Sequence, residues 1–376
     1  MIKILYIVST LKKCGPVFVL RNIMRNINRS DFQPMILTLS PETKSSTIGD
    51  FFESMIGVHS LSMGRIEGIT TGINKVRNIV GEMKPDIVHT HGLRADYLSV
   101  KYLGELTCIS TIHNNPSLDY VMTYGLFQGN LLAKWHLELI RKMQNPVFCS
   151  KSNYDLLRGL NLNSTYIQNG VDDATFKPLE KDAKLLAKEK LGFSRQDIII
   201  LSVGHLSPLK RPETLIRGFR NLNLPHNFKL VFLGHGPLMD KCLGLVKGEK
   251  NIILKGQVDN VSDYSAASDI FVSASRAEGL PNTVLEAMAC GLPVILSDIT
   301  PHKEIIEKNS SAGMCFKTES VDDFSEKLAL ILKSDLQVMG AAAKCVINEY
   351  FTAKFMAEKY QVLYKELFSS KRGINN

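Results

Sequence analysis

The chain has 376 residues, of which 44% are hydrophobic and 22% charged, and its formal net charge is +8. That length suffices for a large core and two domains, and no apolar stretch reaches the roughly 18 residues that span a bilayer. No nucleic-acid motif, Walker loop, zinc-ligand spacing or nucleophile elbow is present, so we expect no nucleic acid partner. The seven scattered cysteines form no C-x-x-C pair and indicate a reducing compartment.

The first predicted elements are a buried strand and an amphipathic helix that are joined by a glycine-containing loop. Residues 2–8 form a β-branched apolar run, and helical spacing of apolar residues begins at Val17. Gly15 lies in the loop between them. Because ligands of α/β sheets bind at the carboxyl ends of parallel strands, this loop is a candidate binding element.

Two histidines of the first half follow predicted strands directly. His91 follows the strand at 86–89, with Arg94 in the helix after it, and His113 follows the strand at 108–112. A histidine at such a strand end either faces a ligand or bonds to the loop backbone, and for His91 the two interpretations stay open. Further strands are predicted at 35–39, 58–61 and 146–151, and helices at 69–83 and 152–159.

Residues 119–143 form a largely apolar and partly amphipathic segment that ends in Arg141 and Lys142. One interpretation places this segment on a membrane surface. The other, which we favour, packs it on the sheet. The charge of residues 1–170 bears on the same choice, because 18 lysines and arginines stand against 12 aspartates and glutamates, a net +6. Such an excess suits an anionic membrane or a diphosphate, and it is also common on solvated surfaces.

The second half opens with a strand at 197–204 that runs into a basic loop containing His205 and Lys210. The next strand, 228–233, ends in a turn with Gly234 and Gly236, where glycines permit close backbone approach. The remaining elements are predicted strands at 251–254, 269–273, 293–297 and 313–316, and helices at 261–267, 302–307, 321–332, 336–350 and 352–368.

The segment from Glu278 to Glu286 combines two carboxylates with a helix start. Glu278 precedes the turn-prone residues Gly279, Leu280, Pro281 and Asn282, and Asn282 and Glu286 share one face of the helix. The positive end of that helix favours a phosphate, and the carboxylates suit hydroxyl groups. The segment therefore predicts a site for a nucleotide sugar, or else an ordinary strand–loop–helix connection with a surface glutamate.

Strand and helix patterns alternate through both halves, which predicts two doubly wound α/β domains. The runs 275–282 and 286–294 resemble the Glu-x7-Glu segment of retaining glycosyltransferases of family 4, and 169–172 resembles their Asn-Gly-Val-Asp element. The resemblance implies a GT-B fold, in which two Rossmann-like domains face a cleft. The first domain is then 1–172, which binds the acceptor, and the second is 173–351, which binds the nucleotide sugar; the last helix, 352–376, packs back on the first.

The resemblance also implies roles for the candidate residues. Glu278, Lys210 and His113 are expected to be catalytic: Glu278 accepts from sugar hydroxyls, Lys210 neutralises the departing diphosphate, and His113 contacts the sugar or its phosphate. Glu286 is expected to bind the ribose. The other donor-binding positions are Gly15, His205, Gly279, Leu280, Pro281 and Asn282, and those on the acceptor side are His91 and Arg94. His205 departs from the family pattern, which has arginine directly after the glycine at 204.

The implied function is the metal-independent, retaining transfer of a hexose or N-acetylhexosamine to a glycan or lipid-linked acceptor. A UDP-sugar is the favoured donor, no cofactor is expected, and the setting is the synthesis of capsule or O-antigen polysaccharide. We expect a cytoplasmic protein, with contact to the inner face of the plasma membrane as a further option. The alternatives are a non-catalytic nucleotide-sugar-binding subunit, which the histidine at 205 motivates, and another GT-B enzyme such as a nucleotide-sugar epimerase.

Overall fold

The computed structural model describes residues 1–43, 46–53, 56–64 and 72–373. Contacts divide the chain into two compact units. The first comprises Met1–Tyr120, Phe127–Gly170 and Ala353–Asn376, and the second comprises Val121–Leu126 and Val171–Thr352.

The first unit is built on a parallel sheet of seven strands in the order β3-β2-β1-β4-β5-β6-β7. The chain enters at the centre, runs to one edge and then crosses to the other, which is the doubly wound order that the alternation predicts. The central strands are buried along almost their whole length because helices cover both faces of a parallel sheet. The strands are β1 (Ile2–Val8), β2 (Phe32–Thr38), β3 (Gly57–Ser60), β4 (Ile87–His91), β5 (Thr107–Ile112), β6 (Asn145–Phe148) and β7 (Thr165–Tyr166).

Helices of the first unit pack on this sheet through apolar stripes. In the first helix the predicted stripe is confirmed, since Val17, Leu20, Ile23 and Met24 are all buried. The predicted helix at 69–83 is described from residue 72 onward, and its first three residues lie outside the described ranges. The helices are α1 (Gly15–Asn26), α2 (Ile48–Glu53), α3 (Gly72–Met83), α4 (Leu93–Tyr102), α5 (Pro116–Tyr124), α6 (Leu126–Lys142), α7 (Lys151–Leu157) and the C-terminal helix (Ala353–Gly373).

The segment 119–143 differs from the interpretation that we favoured. It forms parts of two helices, separated at Gly125, whose φ of +81° belongs to the left-handed region. One face of α6 packs on the unit, as that interpretation predicts. The prediction is wrong for Phe127, Leu131 and Trp135, whose side chains are 85%, 66% and 43% exposed. In the described parts of the chain, no helix is both long enough and apolar enough to cross a membrane.

The second unit has a parallel sheet of six strands in the order β10-β9-β8-β11-β12-β13, with the same winding. Its strands are β8 (Ile198–Val203), β9 (Phe228–Leu233), β10 (Ile252–Gly256), β11 (Ile270–Ser273), β12 (Val294–Ser297) and β13 (Gly313–Phe316). Its helices are α8 (Lys181–Lys190), α9 (Pro212–Asn221), α10 (Met239–Leu245), α11 (Val261–Ala267), α12 (Asn282–Ala289), α13 (Thr300–Ile306), α14 (Val321–Ile331) and α15 (Leu336–Tyr350). Both sheets thus present the carboxyl ends of their central strands to the loops that carry the candidate residues.

Candidate functional site

Two glycine turns interlock where β8 and β9 end. A Cβ atom on Gly234 would lie 1.9 Å from the carbonyl oxygen of Gly204, so only glycine fits there. The Leu206 N–H donates to the His235 carbonyl at 3.3 Å, and the Leu238 N–H donates to the Leu206 carbonyl at 2.9 Å. These bonds hold the loop after β8 in one shape. A pocket opens beside it, and its lining includes Gly204, His205, Lys210 and Ser275.

The central charged contact of this edge joins Lys210 to Glu278. The Lys210 ammonium donates to Oε1 of Glu278, and the Ser275 hydroxyl donates to the same oxygen at 2.7 Å. The side chains are 27% and 12% exposed. Burial by itself raises the pKa of Glu278, but the Lys210 charge, with smaller contributions from His302 and the two hydrogen bonds, lowers it below its ordinary value. Glu278 is therefore an anion at neutral pH.

Helix α12 begins directly after this contact. Pro281 is its N-cap and Asn282 its first residue, and Asn282 and Glu286 lie on one half-buried face. At the other end Gly291, with φ +74°, and Leu292 form a Schellman motif through the Met288 and Ala287 carbonyls. Gly279 and Leu280 are buried. The positive end of the α12 dipole thus lies next to the Glu278 loop.

Two cations near Lys210 contact another carboxylate. Arg211, at φ +50°, approaches Glu319 at 3.8 Å, and the Arg276 Nε lies 2.6 Å from the same carboxylate. Both arginines therefore form ion pairs outside the Lys210–Glu278 contact. His205 is exposed at the pocket. Of these side chains, Lys210 is the one that the structure brings to Glu278.

In the first unit, the ends of β4 and β5 bring His91 and His113 together. Nδ1 of His91 lies 2.9 Å from Nε2 of His113, and the two rings stack with centroids 5.1 Å apart. Burial lowers the pKa of His113 to about 4 and that of His91 well below its ordinary value, so both imidazoles are neutral at pH 7. His91 is 4% exposed and its hydrogen-bond partner is the imidazole of His113, and its assignment to the acceptor side stays a prediction. His113 is half-buried.

A buried polar network beneath this pair reaches the C-terminal helix. His89 Nδ1 lies 2.7 Å from the Tyr364 hydroxyl, and His89 Nε2 lies 2.7 Å from the hydroxyl of Thr111. Thr111 in turn lies 2.8 Å from the Tyr360 hydroxyl. Burial lowers the pKa of His89 to about 3, so this ring is also neutral. The network fixes the position of His89, which lies next to His91.

Gly15 and Arg94, the other candidates in this unit, lie on separate loops. Gly15 is the first residue of α1, and the loop before it is held by Glu42, whose carboxylate accepts from the Leu11 N–H at 3.0 Å. Arg94 donates to the Ser40 hydroxyl at 2.6 Å and more weakly to the Gly64 carbonyl at 3.4 Å. The Arg94 guanidinium therefore links the loops that follow β2 and β3.

Three residues of the second unit contribute to the site although they were not among the predicted positions. Ser275 binds Glu278, Ser297 ends β12, and His302 lies in α13 and is fully buried. Ser297 and His302 are about 20 residues from Glu278 along the chain, and a strand intervenes. A polar residue at the carboxyl end of a buried strand was the available signal for Ser297.

Two family models match the chain, one in each half. The model described as "Glycosyltransferase Family 4" matches residues 15–175, and the model described as "Glycosyl transferases group 1" matches residues 184–348. These matches identify a glycosyltransferase, and its two doubly wound parallel-sheet units have the GT-B fold. The chain belongs to glycosyltransferase family 4.

Curated relatives carry related descriptions. The chain is 27% identical to an Escherichia coli O-antigen biosynthesis glycosyltransferase, WclY, over 97% of this chain and 99% of the relative. It is 27% identical over 77% of each chain to the UDP-Gal:alpha-D-GlcNAc-diphosphoundecaprenol alpha-1,3-galactosyltransferase of Escherichia coli. The protein is therefore a glycosyltransferase of glycan biosynthesis.

Solved structures share the fold at low sequence identity. Sucrose-phosphate synthase from Thermosynechococcus elongatus superposes with a TM-score of 0.82 at 16% identity, over 98% of this chain and all of that one. The Anabaena protein HepE, solved in complex with UDP and glucose, superposes with a TM-score of 0.80 at 16% identity, over 97% of this chain and all of that one. These likenesses establish the fold.

Proposed function

We propose that the protein is a retaining glycosyltransferase that transfers a hexose or N-acetylhexosamine from a UDP-sugar to a glycan or lipid-linked glycan. The observation that carries this proposal is the Lys210–Glu278 contact beside the glycine turns after β8 and β9. It places a cation and a hydroxyl-binding anion at one strand edge, which is the pair of charges that a sugar diphosphate requires.

Each donor group has a proposed partner in the second unit. Lys210 binds the diphosphate, with His205 as a second donor at the pocket, and the N-terminal end of α12, formed by 279–282, lies toward the phosphates and sugar. Glu286 accepts from the ribose hydroxyls. Gly15 and His113 are the proposed contributions of the first unit to donor binding.

The chemistry follows from the charge states of these groups. Glu278 is an anion whose Oε1 already accepts two hydrogen bonds, so it suits holding sugar hydroxyls better than donating a proton. Lys210 stabilises the negative charge that grows on the departing UDP. Neutral His113 binds a sugar or phosphate oxygen through a ring N–H. We propose that the acceptor is activated by a phosphate oxygen of the donor, with no protein nucleophile and no metal ion.

The relatives support the donor and acceptor classes. The name of one relative specifies UDP-Gal as donor and a diphosphoundecaprenol-linked sugar as acceptor, and HepE has been solved with UDP-glucose. By analogy we propose a UDP-sugar and a lipid-linked acceptor for this chain, in the synthesis of O-antigen or capsule.

An exposed stripe on α6 supports contact with a membrane on the cytoplasmic side. Phe127, Leu131 and Trp135 are spaced four residues apart and therefore lie on one face of the helix. The opposite face is buried through Gly129, Ala133, His136, Leu139 and Ile140. Lys134 and Lys142 flank the exposed stripe. Aromatic and aliphatic side chains beside lysines suit the interface of an anionic bilayer.

The transfer activity is tested with purified protein, UDP-sugars and lipid-linked acceptors extracted from a polysaccharide-producing bacterium. Wild-type protein is expected to release UDP only when donor and acceptor are both present, with the anomeric configuration retained in the product and activity unchanged by EDTA. Lys210→Met and Glu278→Gln are expected to lower kcat by about 100-fold or more. Lys327→Met, which removes a cation on α14, serves as the matched control.

Two other results would replace the proposal. Tight UDP-sugar binding without turnover in any acceptor extract would support a non-catalytic binding subunit, as the exposed histidine at 205 in place of the family's arginine would suggest. Conversion of the donor sugar without an acceptor would support an epimerase instead.

Membrane contact is tested by flotation with vesicles of phosphatidylglycerol and phosphatidylethanolamine. The triple serine variant of Phe127, Leu131 and Trp135 is expected to lose flotation. Leu162→Ser, at a residue that is 97% exposed outside the stripe, is expected to retain it. Equal flotation of both variants would contradict the assignment of this surface.

A further inference from the structure

Hydrogen bonds connect buried His302 to Glu278 in the second unit through Ser297 and through the backbone carbonyl and hydroxyl of Ser275, and we call this series the path. His302 Nδ1 lies 2.9 Å from the Ser297 carbonyl oxygen and 3.1 Å from the Ser297 hydroxyl. The Ser297 hydroxyl donates to the Ser275 carbonyl at 2.6 Å, and the Ser275 hydroxyl donates to Glu278 at 2.7 Å. The path crosses between β11 and β12, which are adjacent parallel strands.

Counting protons fixes the direction of every bond in this path. A carbonyl oxygen only accepts, so His302 carries its proton on Nδ1. Ser297 has one hydroxyl proton, which goes to the Ser275 carbonyl, and its oxygen therefore accepts from His302. Ser275 likewise gives its one proton to Glu278, so Ser273, 3.1 Å away, donates to Ser275. All donors thus point toward Glu278, and the path ends in a carboxylate that only accepts.

Burial separates the inner part of this path, Ser297 and His302, from any ligand. His302, Ser297 and Ser275 are each 0% exposed. Nε2 of His302 has no hydrogen-bond partner among the described residues, in keeping with the proton on Nδ1. Ser275 also borders the pocket beside Lys210, whereas Ser297 and His302 are not part of its lining and act on a substrate only through Glu278, which is 12% exposed.

We propose that Ser275, Ser297 and His302 are positioning residues that hold Glu278 as an oriented anion against Lys210. His302 fixes the end of β12, Ser297 ties that end to the loop after β11, and Ser275 sets the carboxylate. This role rests on the proposed function, in which Glu278 accepts from the hydroxyls of the donor sugar. It adds three residues to the site, of which Ser297 and His302 do not touch the substrate themselves.

Ser297→Ala tests the path with a small change in volume. It removes the hydrogen bond to the Ser275 carbonyl. We expect kcat to fall by about ten-fold, which corresponds to the free-energy contribution of one such hydrogen bond. The Kd for UDP is expected to stay within about two-fold, because UDP lacks the sugar that Glu278 binds. Ser297→Thr restores a hydroxyl at a strand position that suits threonine, so it is expected to recover most of kcat.

Ser268→Ala is the matched control. Ser268 is also 0% exposed, lies in the same unit, and donates to the Tyr264 carbonyl at 2.7 Å. It is expected to lose stability, as Ser297→Ala does, while kcat stays unchanged. Equal kcat values for the two alanine variants, or no recovery in Ser297→Thr, would overturn the proposal.

A second measurement does not depend on activity. The carboxyl carbon of Glu278 is followed by 13C NMR in glutamate-labelled protein and assigned with Glu278→Gln. Its titration midpoint is expected to move to higher pH in Ser275→Ala and Ser297→Ala, because donors to the anion are lost or displaced, and to stay in place in Ser268→Ala. If wild-type protein transfers no sugar, the proposed function fails. The titration of Glu278 still tests whether the path positions its carboxylate. An unmoved midpoint in both variants would contradict it.

Discussion

Replacing Lys210 by methionine removes the cation from the Lys210–Glu278 contact and leaves the carboxylate with the Ser275 hydrogen bond. Breaking one partner of a buried ion pair costs about 3–5 kcal/mol. Because Lys210 is 27% exposed and partly screened by solvent, we expect the free energy of unfolding to fall by about 2–3 kcal/mol at pH 7.

The pH dependence distinguishes this loss from a simple loss of packing. In the wild type the pKa of Glu278 is lowered, so its contribution to stability is complete above the unfolded value, about 4.3, and is lost as the pH falls through the folded pKa. Without Lys210 the leading influence on this pKa is burial, which raises it. The difference in the free energy of unfolding between Lys210→Met and wild type should therefore be large at pH 7. It should shrink by more than half near pH 3.5, where Glu278 is protonated in the variant.

Hydrogen exchange read by mass spectrometry over 198–203 and 282–289 measures this difference locally, which suits a chain of two units. Lys327→Met is the control, since Lys327 has a similar exposure of 26% and pairs with Asp323 on the surface of α14 at 3.6 Å. It is expected to cost less than about 1 kcal/mol at either pH. A cost for Lys210→Met that is independent of pH, or no larger than that of the control, would refute the reasoning.

Three further predictions concern other parts of the two units. Gly234→Ala places a Cβ atom against a backbone carbonyl at φ +138° and is expected to cost about 3 kcal/mol or more and to abolish UDP binding in calorimetry, whereas Gly244→Ala, in open space on helix α10, is expected to lower neither stability nor UDP binding. Burial raises the pKa of Asp96 to about 7, so wild-type stability is expected to fall as the pH rises from 4 through 7. Asp96→Asn is therefore expected to be more stable than wild type by about 1–3 kcal/mol at pH 8, and an equal pH slope of unfolding in the two proteins would contradict this. The pKa of His113 is lowered to about 4, so the pH profile of kcat is expected to fall on the acid side near pH 4, and this fall is expected to disappear in His113→Ala. A fall near pH 6.5 that disappeared in the same variant would contradict the lowered pKa of His113.

The order of strands and helices was predictable because it depends on local patterns. Strands of a parallel sheet are covered on both faces and read as apolar runs, as in β1 and β8, while α1 shows one stripe at helical spacing. The roles of Lys210 and Glu278 were implied by the family resemblance, and the strand pattern placed both residues in loops that follow predicted strands. Their contact with one another agrees with the rule that ligands bind at the carboxyl ends of parallel strands.

The tertiary structure decided which side chains face each other. The sequence pattern places His91 just after a strand, whereas in the structure it is the last residue of β4 and lies beside His89, which bonds to Tyr364 of the C-terminal helix 275 residues away. Nothing near His91 in the sequence signals that partner. Likewise, Ser297 and His302 support Glu278 only because β12 pairs with β11.

Helix α6 shows the same limit of sequence-based prediction for a solvent-exposed face. Both of its faces carry apolar residues, so the sequence pattern indicates a buried helix and cannot distinguish the face that packs from the one that does not. Packing places His136 and Ile140 inside and leaves Phe127 and Leu131 exposed. Local periodicity determines that a segment is a helix, whereas the side that is buried depends on contacts with residues that are distant in the chain.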